Sequence, residues 1–161
     1  MTDNYLTRPV TVWELWRLAD LACEEEKAFF RRNPHLLEPY RNRLIAIALC
    51  QGAALQYIGR GYGVKDFDVH FFYSQNPQKP RISRAIKQIH TSVVKFQDVP
   101  IYYIRTVAPR TKLPKMPRDA VQILQSFLRE KPTANSMHLA QKAVICLWPE
   151  EIFGERIWPP T

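Results

Sequence analysis

Paired cysteines are missing from this sequence. Its 161 residues include three, Cys23, Cys50 and Cys146. An odd number at wide spacing excludes a closed disulfide framework and lacks the rhythm of a zinc site. Each has apolar neighbours, so reduced, packed thiols in a cytoplasmic protein are expected. A long apolar run is missing too: none approaches the about 20 residues that a membrane helix needs. No basic stretch leads into an apolar one near the N-terminus, so neither a targeting segment nor a membrane partner is expected. Acidic side chains are nearly absent from residues 76–118, where ten basic residues from Lys79 to Arg118 face one acid, Asp98. That segment carries +9 while the whole chain carries +8, so the remainder is close to neutral. A positive field concentrated over 79–118 suits a nucleotide, a nucleic acid or an acidic protein as partner.

What is present is ordinary globular material. The chain is 46% hydrophobic and 24% charged, which excludes disorder and allows a core without disulfide staples. Its length suits one compact domain, or a small domain with a helical appendage. The reading is an α+β fold in which a core over 1–110 carries a helical extension over 111–161.

Periodicity places the elements. Thr11 and Glu14 have the spacing of a capping box, and Trp13, Trp16, Ala19 and Cys23 recur at helical steps, predicting a helix that ends before Pro34 and turns this stripe to the core. Leu44 to Leu49 is a short continuous apolar run, the pattern of a strand buried on both faces. Gln51-Gly52-Ala53-Ala54 then changes the texture, and Gly59, Gly61 and Gly63 mark a turn region. Phe67 to Tyr73 alternates, with Phe67, Val69 and Phe71 on one side and Asp66, Asp68 and His70 on the other. Ile82 to Ile89 has helical spacing. Val99 to Val107 reads as a strand, with Pro100 favouring a sheet edge or a strand start. Pro109 to Pro117 reads as a linker. Two helices are expected beyond it, from Pro117 and from Ser136 to Trp148, and the latter ends at Pro149. The Ile152 to Trp158 tail is expected to pack back on the body.

Strand, Gly52, short helix, glycine-bearing loop and a strand opening Asp66-Phe67-Asp68 form an order that resembles polymerase-β-type nucleotidyltransferases. The match covers about thirty residues. The resemblance implies a mixed sheet of about three to five strands flanked by helices. It implies Asp66 and Asp68 as catalytic residues holding Mg²⁺, and a nucleoside triphosphate near Gly52 and Ala53. Carboxylates two apart on a strand share a face and lie about 6.6 Å apart along it, a span that one Mg²⁺ bridges together with substrate phosphates. Arg60 and Lys65 are candidate phosphate contacts, and His70 and Asp98 are candidate accessories. The family places Ser or Gly where this chain has Ala53. It also places a third carboxylate on a later strand, and Asp98 is the only acid between Asp68 and Asp119.

Three readings follow. The chain transfers a nucleotidyl group from a nucleoside triphosphate to a hydroxyl acceptor. Alternatively it keeps such a fold without catalysis and binds nucleic acid or an acidic protein through 79–118. The third is an unrelated α+β protein, the outcome if 44–49 and 67–73 are not neighbouring strands. An oligomer is compatible with each.

Overall fold

A computed structural model describes residues 9–79, 82, 85–89 and 99–161, the stretch 85–89 by its backbone alone. The class is α+β. One six-stranded sheet runs in the order β3-β4-β2-β1-β5-β6, one strand more than expected. Its strands are β1 (Leu44–Cys50), β2 (Phe67–Ser74), β3 (Ala85–Ile89), β4 (Pro100–Ala108), β5 (Val144–Trp148) and β6 (Arg156–Trp158). The β2–β4 pair is parallel and every other pair is antiparallel, so the sheet is mixed.

Helices cover both faces, which is why β1 and β5 read as continuous apolar runs. The first face carries α1 (Val12–Arg32), the short α2 (Leu37–Tyr40) and α3 (Gln51–Tyr57). There Leu15, Leu18, Ala53, Leu49, Val69, Phe71 and Ile145 form one core. The second face carries α4 (Asp119–Glu130) and α5 (Ala134–Leu139), with Ala48, Phe72, Leu124, Phe127 and Cys146 in a second core. Alternation in β2 sorts its side chains as the sequence predicts: Phe67, Val69 and Phe71 enter the first core, and Phe72 enters the second.

Several local expectations hold. The Thr11 amide donates to Glu14 Oε1 at 3.0 Å and the Glu14 amide donates to Thr11 Oγ1 at 3.1 Å, closing the capping box. Asn33, just before Pro34, caps the far end of α1. Ile152 and Ile157 in the tail are fully buried, and Phe153 stacks on Trp16 with centroids 3.8 Å apart.

Three expectations fail for stated reasons. The inner stripe of α1 is Leu15, Leu18, Ala22 and Phe29, whereas Trp13 and Trp16 are 56% and 42% exposed. Two apolar stripes lie side by side on this helix, and the aliphatic one faces the sheet. Ile82 to Ile89 supplies strand β3 rather than a helix, pairing antiparallel with β4 from Ala85 to Ile89. The outer edge of β4 needs backbone partners, and a segment rich in β-branched residues meets that need as a strand. The Ser136–Trp148 helix is instead the short α5, a turn, and β5. Val144 to Leu147 is buried on both faces, which a strand inside a sheet achieves and a surface helix does not. Residues 111–161 therefore give the fold two helices and two strands, and β5 lies directly against β1.

Among the described residues no helix is long and apolar enough to cross a membrane.

Candidate functional site

The site grows from the end of β1. In register, Cys50 stands between Asp68 on β2 and Val144 on β5. Gln51 then takes a left-handed φ of 63°, unusual for a residue with a side chain, and turns the chain into α3. Its amide donates to the Ala143 carbonyl at 3.1 Å, which fastens this corner to the segment that leads into β5.

The loop from α3 to β2 is shaped by one glutamine. Gln56 Oε1 accepts the Gly63 amide at 3.1 Å. A Cβ on Gly61 would lie 2.7 Å from that same oxygen and 2.8 Å from the Gln56 backbone nitrogen, so only glycine fits there. The loop is thereby held against α3 and delivers Asp66 to the mouth of β2.

Together these pieces wall a cleft of about 560 Å³. It is lined by Gly52, Ala53, Lys65, Asp66 and Asp68 from the expected set, and by Gln51, Tyr62, His138 and Lys142, which sequence reasoning missed. A Cβ on Gly52 would meet nothing within 4 Å, so the glycine leaves open space for close approach of a ligand. Arg60 is exposed and does not line the cleft. His70 shares the Asp68 side of β2 but is 5% exposed, pairs through Nδ1 with Thr106 Oγ1 at 3.0 Å and does not line the cleft. Burial, then the nearby His138, lowers its pKa to about 3, so the ring is neutral at ordinary pH. Its role is internal packing. Asp98 lies outside the described residues.

Electrostatics single out Asp68. Burial raises its pKa to about 6, the Asp66 carboxylate adds to the rise, and Lys142 opposes it. A carboxylate with a carboxylate beside it and incomplete access to water is a poor resting arrangement for two negative charges. A divalent cation between them would relieve it, and two carboxylates open to a cleft with room for phosphates and water fit the donor set of Mg²⁺. No group of three His, Cys, Asp or Glu side chains suited to a metal forms among the described residues. The parallel register puts Tyr102 beside Asp68, while Ile101 pairs with Phe67 and enters the first core.

The basic segment divides. Lys79, Arg110, Lys112, Lys115 and Arg118 are exposed, and Arg118 pairs with Glu155 at 2.7 Å. Arg105 is fully buried and pairs with Glu25, so it is withdrawn from any partner. Arg110 and Lys112 line a separate cavity of about 810 Å³ beside α4, where Glu130 is the one acid. Tyr103, on the same strand, is 2% exposed and packs against Phe71.

Strands β1 and β2, which flank the glycine-bearing loop, are antiparallel neighbours. The chain matches no family model, no curated protein and no solved structure.

Proposed function

We propose that the cleft between the α3 corner and the head of β2 binds a nucleoside triphosphate and serves nucleotidyl transfer to a hydroxyl acceptor. One observation carries this reading: Gly52, Ala53, Asp66 and Asp68 line a single cleft, where Asp66 and burial hold the Asp68 pKa up against the opposing charge of Lys142. Asp66 and Asp68 would hold Mg²⁺, which supplies neutralisation of triphosphate charge and of the charge developing at the α-phosphate. The open space at Gly52 admits the phosphates close to the backbone. In the transfer, the acceptor oxygen bonds to the α-phosphorus, the bond from that phosphorus to the bridging oxygen breaks, and pyrophosphate leaves. The acceptor proton passes to solvent.

The test is calorimetric titration of the protein with each of the four nucleoside triphosphates, with and without Mg²⁺. Metal-dependent binding of at least one, lost in Asp68→Asn, is the expected result, and no metal-dependent binding of any would sink the reading. Gly52→Ala sharpens it. With nothing within 4 Å of the added Cβ, the variant folds with stability within about 1 kcal/mol of the parent, while triphosphate affinity falls about tenfold or more because the methyl occupies the approach.

A second reading is favoured by a different observation. Tyr102 stands beside Asp68 where a carboxylate would assist the metal, and exposed Arg110 and Lys112 line the larger cavity. A non-catalytic module would then hold nucleic acid or an acidic protein partner at that basic surface. Its signature is binding that weakens steeply with salt, falls in Lys112→Gln and is indifferent to Asp68→Asn.

A further inference from the structure

The side of the cleft facing the carboxylates has no role in the reading above, and it is chemically distinctive. Gln51 is 6% exposed and its Nε2 has no hydrogen-bond partner, although a buried amide donor left unmade is costly. The same residue holds a left-handed backbone that glycine, its immediate neighbour, would adopt without strain. Two unfavourable features at one cleft residue point to a group that is satisfied only when something binds.

Lys142 is the second part. It lies in the turn between α5 and β5, is exposed, lines the same cleft, and its charge bears on Asp68. The two residues are held together by the fold. The Gln51 amide donates to Ala143, the neighbour of Lys142, and Cys50 stands in register with Val144. A donor amide and an ammonium on adjoining chain segments, across from two carboxylates, make a receptor for oxygens that carry negative charge.

We propose that Gln51 and Lys142 form an oxyanion subsite of this cleft that takes the terminal phosphate oxygens of a polyphosphate. The proposal rests on the nucleotide-binding reading for its substrate class, but its own chemistry is metal-independent. The subsite orients the polyphosphate from the β5 side while the carboxylates act from the β2 side. It makes the segment before β5 part of the site.

The probe is inorganic tripolyphosphate, titrated into the full chain in the presence of a chelator and again with Mg²⁺. Metal-free binding is expected for the parent. Lys142→Gln weakens it about tenfold, the scale of one charge-assisted contact, and Lys142→Arg restores most of it. Gln51→Met weakens it several-fold without lowering the melting temperature of the free protein, because the lost amide has no partner there. That pairing of lower affinity with undiminished stability is what a purely structural glutamine would not give. Arg41→Gln, at an exposed residue that lines neither cavity, binds as the parent does. Parent-like tripolyphosphate affinity in both Lys142→Gln and Gln51→Met overturns the subsite, as does the absence of metal-free binding in the parent. The two readings separate in the same experiment. If both variants bind tripolyphosphate and Mg²⁺-nucleotide with parent affinity while Asp68→Asn loses the nucleotide, the subsite falls and the metal site stands. If Asp68→Asn leaves nucleotide binding untouched while Lys142→Gln weakens tripolyphosphate binding about tenfold, the transfer reading falls and the subsite stands.

Discussion

Two charged clusters lie on opposite faces of the same pair of strands, and they are handled in opposite ways. On the α1 face, Arg105 of β4 is fully buried, pairs with Glu25, and lies between two rings, 4.1 Å from the Phe29 centroid and 4.5 Å from that of Phe71. Its Nε and Nη1 have no hydrogen-bond partner, but aromatic faces cover the cation. On the other face, Asp66 and Asp68 are like charges side by side, open to a cleft, with burial pushing Asp68 up to about 6. A compensated charge holds the fold together. One opposed only in part, by Lys142, is held in place by the fold and stands open to the cleft.

Removing compensation from the first cluster should have the largest effect. Glu25→Ala leaves a buried guanidinium without its counter-charge and costs about 3 kcal/mol, a fall of about 6–12 °C in melting temperature. The double variant Glu25→Ala with Arg105→Met should recover much of that loss in thermal denaturation. If the single variant melts like the parent, the contrast between the clusters is broken.

The second cluster should respond with the opposite sign. Asp68 has a raised pKa in the folded state, so the folded protein holds its proton more tightly than the unfolded chain does. Its contribution is favourable below the unfolded value near 3.8 and is lost as pH rises through about 6. Asp68→Asn should therefore stabilise the metal-free protein at pH 8 by about 1–2 kcal/mol, allowing for screening by solvent, and not at pH 3.5. Melting curves of parent and variant at the two pH values measure this. A loss of stability at pH 8 would mean that the pair is compensated after all. Smallest of all is His70. Held near 3, its ring should show no titration in NMR spectra between pH 5 and 8.

The same contrast explains what was legible in the sequence. The Asp66-Phe67-Asp68 alternation and the burial of Leu44 to Leu49 are local patterns, and period two is enough to read them. The Gly52 corner is local as well. Lys142 was hidden because it precedes a strand whose apolar run reads equally well as the end of a helix, and only pairing with β1 decides between them. Tyr102 beside Asp68 is a matter of register between β2 and β4, which no spacing within one segment reveals. The Arg105–Glu25 pair joins residues 80 apart, so Arg105 counted wrongly toward a surface charge. The left-handed turn falls on Gln51 rather than on the adjacent glycine, and composition gives no sign of that.

The pairing of β5 with β1 sets a timetable. Leu49 meets Ile145 in register, and the corner that follows β1 is tied to Ala143. While the chain is being synthesised, β1 and β2 emerge early and can zip together, but the other edge of β1 stays bare until β5 has left the ribosome. Closing so large a loop is slow compared with forming a hairpin. A nascent chain, or one cut short before Val144, would carry its acidic pair on β2 while the apolar strand β1 beside it kept one unprotected edge, a form prone to self-association. In this protein Lys142 and β5 complete one wall of the cleft and cover that exposed edge.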